Sequence, residues 1–220
     1  MFEAVIFENN PASQTAFYKA GFVQNKKDVE RWEKVASDSD ILTQMKLIEP
    51  SMEYDRQIQA YRQDFLEYGG SMDGCGSLRR FDRTQDWLDQ VESFKRAETT
   101  PPDFVPVSQY IYVRETDNKI VGVIQIRHYF NTFLEQYGGH IGYSVCPSER
   151  RKGYATQMLR LVLPKCKELG IDRVLISCVQ GNEGSRKVIL NNGGKYESTV
   201  YEPESDLRLE RYWIDLSDGI

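Results

Sequence analysis

One stretch in the second half of the chain sets the fold class, because its pattern is that of a strand, a helix and a second strand in succession. Residues 139–145 (GHIGYSV) have a strand pattern, and Pro147 stops further pairing. Across residues 149–169 apolar side chains recur every three or four positions, which indicates an amphipathic helix. Residues 173–179 (RVLISCV) form a short apolar run typical of a buried strand. The stretch predicts a strand–helix–strand crossover at the centre of an α/β fold.

Hairpins and further helices surround this crossover. Alternating or β-branched runs predict strands at residues 110–113, 120–126, 195–201 and 208–216. Helical periodicity predicts helices at residues 54–68, 84–96 and 183–192. Pro164 falls inside the helix predicted at 149–169, so we expect a kink or an early bend there. The order of elements, β-α-α-β-β-β-α-β-α-β-β, is that of a mixed α/β protein.

Composition argues against several functional classes. The chain has 220 residues, a formal net charge of −5 and 40% apolar residues, which suits one α/β domain with a short appendage. A dedicated nucleic-acid or membrane-surface binder would carry a basic excess, and no apolar run approaches the roughly 20 residues of a membrane span. Four cysteines without a C-x-x-C pair, and an acidic N-terminus unlike an export signal, predict a reduced, cytoplasmic protein. The two histidines have no metal-ligand spacing, so we expect no metal site.

The segment that leads into the central helix is basic and contains a glycine. Arg150, Arg151 and Lys152 precede Gly153, where the missing Cβ would let a ligand approach the backbone. The first N–H groups of a helix have no intrahelical partners and carry the positive end of its dipole. These features predict a cradle for a diphosphate group. The alternative is a solvated basic helix start.

Two motifs in this region resemble the signature of a known family. Arg150-x-x-Gly153-x-Ala155 is similar to the R/Q-x-x-G-x-G/A motif of the GNAT superfamily of N-acetyltransferases. About 30 residues later, Asn182-x-x-Ser185 on the short predicted helix is similar to the second motif of that family. The order of elements from residue 45 to residue 220 also fits. The resemblance implies a GNAT-like mixed, splayed central sheet flanked by helices, with acetyl-CoA as the acyl donor.

The resemblance also implies roles for single residues in binding acetyl-CoA. In such enzymes the strand before the first motif splays from its neighbour and pairs with the pantetheine arm, while the basic turn and the first helical turn hold the diphosphate. The Val145 N–H would also polarise the thioester carbonyl. A purely structural role, in a turn and at a helix start, stays open for Asn182 and Ser185. The implied cofactor-binding residues are Tyr143, Ser144, Val145, Arg150, Arg151, Lys152, Gly153, Tyr154, Ala155, Thr156, Asn182 and Ser185.

The sequence departs from the family at one catalytic position. Many members have a tyrosine seven residues after the helix asparagine, and here that position is Ile189, which cannot donate a proton. We expect His140 as the base, because an imidazole titrates near neutral pH, and Tyr143 as a second catalytic residue, with Tyr137 or water as substitutes. The structural alternatives are a half-exposed strand histidine and a sheet aromatic. Cys146 suggests a covalent acetyl-cysteine route, although no paired base is visible in the sequence.

These features predict an acetyl-CoA-dependent N-acetyltransferase that moves the acetyl group directly to a primary amine. The alternative is a non-catalytic GNAT-fold module that senses acyl-CoA or binds a partner, which the residue at position 189 favours. A P-loop motif for nucleotide binding is missing from the sequence.

The acceptor, a small-molecule or peptide amine, is expected among the two early helices, the Gly-rich loop at 69–77 and the aromatic segment at 129–139. Glu67, Asp73 and Glu135 would attract a cationic amine, or would equally belong to an ordinary lid over the core. Glu149 is expected to be a solvated carboxylate near the helix start.

The first 44 residues repeat part of the C-terminal pattern. Residues 4–7 (AVIF) parallel the strand predicted at 173–179, and no basic turn comes before them. We expect residues 1–44 to be an appendage without a catalytic role that resembles the C-terminal fragment of a GNAT unit, followed by a GNAT domain at residues 45–220. The appendage is either a fused remnant or a segment that packs on its own or a neighbouring protomer, and free sheet edges would allow a homodimer. The repeated spacing, at a constant offset of 172, joins Asn10, Ser13 and Gly21 to Asn182, Ser185 and Gly193.

Overall fold

A computed structural model describes residues 44–217 and three short strands nearer the N-terminus. The chain divides into two compact units, Met1–Met45 and Lys46–Ile220. In the first unit, strands β1 (Glu3–Val5), β2 (Phe22–Asn25) and β3 (Arg31–Lys34) form an antiparallel sheet in the order β1-β3-β2. β1 overlaps the strand predicted at 4–7. The repeated positions at 10, 13 and 21 lie outside the described residues.

The second unit contains a four-stranded sheet. Its strands are β4 (Met45–Ile48), β5 (Val107–Arg114), β6 (Lys119–Arg127) and β7 (Ile141–Val145), in the order β4-β5-β6-β7. β5 pairs antiparallel with β6, and β6 pairs antiparallel with β7, as expected for runs of alternating and β-branched residues joined by short turns.

A three-stranded sheet lies beside it. Strands β8 (Arg173–Val179), β9 (Lys195–Glu202) and β10 (Leu207–Asp215) pair antiparallel in the order β8-β10-β9. The two sheets meet where the His140 N–H donates to the Leu175 carbonyl at 2.7 Å. Beyond this point no β-ladder between β7 and β8 is found among the described residues. The central sheet is therefore splayed, and the predicted mixed α/β class is confirmed.

Helices cover both sheets. α1 (Asp55–Tyr68) and α2 (Thr84–Ser93) come before β5, α3 (Tyr154–Glu168) makes the crossover from β7 to β8, and α4 (Glu183–Leu190) follows β8. Each is amphipathic, because apolar residues at three- and four-residue steps face the core. The largest fully buried side chains on these helices include Ile58, Tyr61, Phe65, Trp87 and Met158.

The structure differs from the sequence-based boundaries at several helix ends. α3 begins at Tyr154 and not at residue 149, because Pro147–Glu149 form a short 3-10 turn. α3 continues through Pro164 to Glu168 with the proline on its exposed side, and the kink or early bend expected there stays a prediction. α2 and α4 end three and two residues earlier than predicted, at Ser93 and Leu190.

Two features are absent from the described part of the chain. None of its helices has the length and apolarity needed to cross a bilayer. Within residues 44–217 and the three short strands, no group of three or more His, Cys, Asp or Glu side chains is arranged to hold a metal ion.

Candidate functional site

The gap between β7 and β8 exposes backbone groups of β7. The Arg127 N–H donates to the His140 carbonyl at 2.7 Å, and the Cys146 N–H donates to the Val121 carbonyl at 2.9 Å. Because hydrogen-bonded pairs alternate along an antiparallel ladder, the N–H and C=O groups of Tyr143 and Val145 point away from β6, into the gap. This edge can accept a ligand that pairs like a strand.

A cavity of about 590 Å³ lies at this gap. It brings together β7, the basic turn, the start of α3 and the start of α4. Every residue predicted to bind the cofactor lines it, except Lys152. The predicted residues on its wall are Tyr143, Ser144, Val145, Arg150, Arg151, Gly153, Tyr154, Ala155, Thr156, Asn182 and Ser185.

The first turn of α3 opens onto this cavity. Gly153 precedes the helix with φ +82°, a left-handed conformation that side chains with a Cβ rarely adopt. No side chain caps the helix, and the first intrahelical backbone bond runs from the Gln157 N–H to the Gly153 carbonyl. The N–H groups of Tyr154, Ala155 and Thr156 therefore remain available to an anion. A Cβ at position 153 would meet no protein atom within 4 Å, so the glycine is needed for its backbone angle rather than for space.

The Glu149 carboxylate holds the basic turn together. The Glu149 side chain is only 7% exposed and forms ion pairs with Arg114 at 2.8 Å, Lys119 at 3.0 Å and Lys152 at 2.8 Å. The hydrogen bond from Arg114, with those from the two lysines, holds the pKa of Glu149 well below its usual range. One expectation is thereby corrected, because Glu149 is not a solvated carboxylate. The Lys152 ammonium is paired with Glu149 and Lys152 does not line the cavity, so its part in cofactor binding stays a prediction.

A hydrogen-bonded pair links β7 to α4 across the cavity. Tyr143 Oη and Ser185 Oγ are 2.7 Å apart, and burial raises the pKa of the Tyr143 phenol. The Ser185 N–H donates to Asn182 Oδ1 at 3.1 Å, so Asn182 is the N-cap of α4. The cap role that the sequence left open for Asn182 is thus present in the fold. The Ser144 hydroxyl instead donates to the Asp73 carbonyl at 2.7 Å, so its side chain supports the Gly-rich loop.

His140 is not placed to act as a base. Its Nδ1 accepts a hydrogen bond from the Leu175 N–H at 3.0 Å, and its ring lies 4.0 Å from the Phe130 ring between centroids. A neutral imidazole has one unprotonated nitrogen, and here the backbone uses it. Burial, with a smaller effect of the Arg127 charge, lowers the pKa of His140 to about 4. The residue is 7% exposed, so the expected half-exposed strand histidine is also corrected.

The remaining catalytic alternatives are not favoured either. Ile189 is fully buried in the core. The Cys146 thiol donates to Asp64 Oδ2 at 2.7 Å, and burial together with Asp64 raises its pKa. A thiol that keeps its proton is a poor nucleophile, so the structure gives no support to an acetyl-cysteine route. Tyr137 packs on Phe133 and lines neither the cavity at the gap nor the larger one described next.

A second cavity, of about 910 Å³, lies on the other side of the Gly-rich loop. It is bounded by this loop, the end of α2, β5, β6 and the segments at 101–105 and 131–134. Asp73 is the one described residue that lines both cavities. Of the three carboxylates expected near an acceptor, Asp73 is present here, whereas Glu67 and Glu135 do not line the wall. Arg127 also lines this cavity but is not predicted from the sequence. It occupies a strand position whose surroundings are set by the Gly-rich loop, which is distant in sequence.

Comparison with known protein families identifies the family of this chain. The sequence model of the acetyltransferase (GNAT) domain matches residues 47–195, about two thirds of the chain. The chain belongs to the GNAT acetyltransferase family. The resemblance carried by the motifs at 150–155 and 182–185 is thereby confirmed. No curated protein sequence is significantly similar to this GNAT protein.

Solved structures share the fold at low sequence identity. The ribosomal-protein-S5-alanine acetyltransferase from Vibrio fischeri aligns with a TM-score of 0.59 and 16% identity, covering 80% of this chain and 94% of its own. A putative acetyltransferase from Salmonella typhimurium, solved with its cofactor acetyl-CoA, aligns with a TM-score of 0.54 and 12% identity, covering 80% of this chain and 96% of its own. The dodecameric spermidine N-acetyltransferase from Vibrio cholerae aligns with a TM-score of 0.56 and 9% identity, covering 80% of this chain and 96% of its own. These likenesses establish the GNAT fold of this protein.

Proposed function

We propose that this GNAT protein is an acetyl-CoA-dependent N-acetyltransferase that transfers the acetyl group directly to a primary amine. The observation that carries the proposal is the open first turn of α3 beside the gap between β7 and β8. Family membership supports acetyl transfer, and proteins of the same fold include one solved with acetyl-CoA and one named for acetylating spermidine.

The cavity at the gap suits acetyl-CoA by its chemistry. The N–H groups of Tyr154, Ala155 and Thr156 would hold the diphosphate at the positive end of α3. The backbone groups of Tyr143 and Val145 would pair with the pantetheine amides as an added strand does. Bound acetyl-CoA supplies an acetyl group already activated as a thioester.

Residues that line the cavity at the gap would stabilise charge and transfer protons. The Val145 N–H, directed into the gap, would stabilise a developing oxyanion. Tyr143 lines the cavity and its Oη is held by Ser185 Oγ at 2.7 Å, so Tyr143 Oη is our proton donor to the leaving thiolate. Asp73 lines both cavities and would orient the acceptor amine. His140 has a structural role in this scheme.

Thermal unfolding with and without acetyl-CoA tests cofactor binding. A ligand at 100 times its Kd stabilises the folded state by about 2.7 kcal/mol, which corresponds to roughly 5–10 °C in a protein of this size. We expect Arg151→Glu to lose most of this shift, because it places a carboxylate at the anion site. Arg160→Glu makes the same charge change on the exposed side of α3, outside the cavity, and should keep the shift. A wild type without a shift, or two variants that behave alike, would contradict the proposal.

Release of the coenzyme A thiol with a panel of primary amines tests turnover. Amine-dependent release supports the transferase. Binding of acetyl-CoA without release for any amine would favour the non-catalytic acyl-CoA-binding module instead.

We also propose that residues 1–44 are an appendage without a catalytic role. The order β1-β3-β2 is the order β8-β10-β9 of the C-terminal sheet, with the same antiparallel pairing, which supports its likeness to the C-terminal fragment of a GNAT unit. Four buried, free thiols support a reducing, cytoplasmic setting. A homodimer through free strand edges stays part of the proposal.

A further inference from the structure

The second cavity has the wrong charge for a simple polycation. Three arginines, Arg79, Arg80 and Arg127, line it against two aspartates, Asp73 and Asp103. A site that selects a polyamine would carry an excess of carboxylates, because each ammonium group needs a countercharge. This wall carries both signs, with one more positive charge than negative.

Arg127 is the most informative of these charges. It stands at the end of β6, and its Nη1 donates to the Gly138 and Gly139 carbonyls at 3.2 and 3.1 Å. Arg127 lines the cavity, and among the described residues the hydrogen bonds of its side chain are these two from Nη1, with no carboxylate within ion-pair distance. Burial lowers the pKa of Arg127 to about 10, and the Asp73 charge opposes that shift. The guanidinium is therefore charged at neutral pH, poorly hydrated and without a close countercharge.

Such a group is a ready partner for an anion on a ligand. The two backbone carbonyls fix one edge of the planar guanidinium, so the remaining donors are oriented before a ligand arrives. A carboxylate that binds there displaces few water molecules from the guanidinium and gains charge-assisted hydrogen bonds. Salt screens a buried ion pair less than an exposed one, so the pair is screened less the nearer it lies to the cavity floor.

The cavity also has an apolar part. Phe94, Phe104 and Phe133 contribute to its wall, and the Phe94 and Phe104 rings are 5.4 Å apart in an edge-to-face arrangement. Phe104 and Phe133 are more than half exposed, so they present apolar surface to whatever enters. About 910 Å³ is within the range of small-molecule sites.

We propose that the acceptor is an amino acid with an apolar side chain, whose carboxylate pairs with Arg127 while its amine is oriented by Asp73 toward the acetyl-CoA cavity. The inference rests on the proposed function and names its acceptor class. It separates this protein from an acetyltransferase of polyamines, which have no carboxylate, and from one of peptide N-termini, where the carboxyl group next to the amine is an amide.

Isosteric substrate pairs provide the test. Acetylation of L-phenylalanine, L-leucine and L-methionine is compared with that of their amides by coenzyme A release, beside spermidine and a hexapeptide with a free N-terminus. We expect a kcat/KM at least about tenfold higher for the acids than for the amides, because the amide loses a charge-assisted pair. In Arg127→Gln the preference should fall below about threefold, whereas Arg127→Lys keeps part of it. Arg160→Gln, outside both cavities, should keep the wild-type preference.

Several outcomes would overturn the inference. They are a wild-type preference for amides, spermidine or the peptide, and a preference for the acids that survives in folded Arg127→Gln. Binding of acetyl-CoA with no turnover of any amino acid also overturns it. The wild-type comparison needs no variant, so it decides even where Arg127→Gln fails to fold. Loss of acetyl-CoA stabilisation in the wild type marks failure of the proposed function itself, and it is measured without any acceptor.

Discussion

At the scale of single residues, one hydrogen bond decides the chemistry of His140. The Leu175 N–H occupies Nδ1, so the proton of the neutral ring is on Nε2 and no lone pair is left to accept another. The bond joins β8 to the residue just before β7, at the point where the two sheets meet. The imidazole therefore serves the junction of the sheets.

The pair of variants His140→Asn and His140→Ala tests this role. An asparagine oxygen can accept the Leu175 N–H, so we expect His140→Asn to keep kcat within about threefold, whereas a general base would account for 100-fold or more. His140→Ala leaves a buried donor without its acceptor and should lower the free energy of unfolding by about 1–3 kcal/mol. A 100-fold loss of kcat in a folded Asn variant would restore the catalytic assignment.

The same substitution has a pH signature. The pKa of His140 falls from 6.5 to about 4 on folding, so between these values the unfolded chain binds more protons than the folded one. Stability contributed by this residue is complete above pH 6.5 and is lost as the pH falls toward 4. As the pH falls from 6.5 to 4, wild type should therefore lose stability relative to His140→Asn. Denaturant unfolding at a series of pH values measures this difference.

At the scale of elements, the Gly-rich loop is in very close contact with β7. A Cβ at Gly74 would lie 2.0 Å from the Gly142 carbonyl oxygen, and φ at this glycine is +71°. The Gln109 side chain adds a hydrogen bond to the Gly74 carbonyl at 2.8 Å. The loop divides the two cavities, so its position against β7 sets where an acceptor and a cofactor can meet.

We expect Gly74→Ala to be strongly destabilising. The clash involves backbone atoms that cannot rotate away, so the free energy of unfolding should fall by about 3 kcal/mol. Gly170→Ala is the matched control, because Gly170 also has a positive φ of +77° but has open space around its Cβ position. The strain of a left-handed alanine costs about 1 kcal/mol. Equal losses for the two variants would show that contact with β7 is unimportant.

At the scale of the whole molecule, both cavities belong to one of the two units. The residues that line the cavity at the gap lie between Gly70 and Val188, and those of the larger cavity lie between Met72 and Leu134. All of them fall within Lys46–Ile220. The first unit repeats the strand order of the C-terminal sheet, which is a likeness of topology.

Deletion of residues 1–44 should therefore leave acetyl-CoA binding unchanged. We expect the Kd, measured by calorimetry, to stay within about threefold of the full-length value, which is less than about 0.7 kcal/mol. The midpoint of thermal unfolding without ligand serves as a control for the integrity of the truncated chain. A greater loss of affinity in a folded truncation would mean that the first unit supports the site.

Much of the candidate site was readable along the chain. The central crossover, the basic turn before α3 and the asparagine at the start of α4 depend on residues close in sequence. Helical periodicity, strand alternation and turn residues act over a few positions, so a linear pattern carries them. The match to the GNAT domain across residues 47–195 agrees with that prediction.

The features that the sequence did not predict depend on contacts between residues that are far apart in the chain. Glu149 meets Arg114 and Lys119, which are 35 and 30 positions away, and His140 meets Leu175, also 35 positions away. Burial and charge partners set the protonation and orientation of a side chain, and neither is a property of its neighbours in sequence. Local pattern was thus sufficient for the fold class and the cofactor motif. Long-range packing converted a predicted base into a link between sheets, and a predicted surface carboxylate into the anchor of the basic turn.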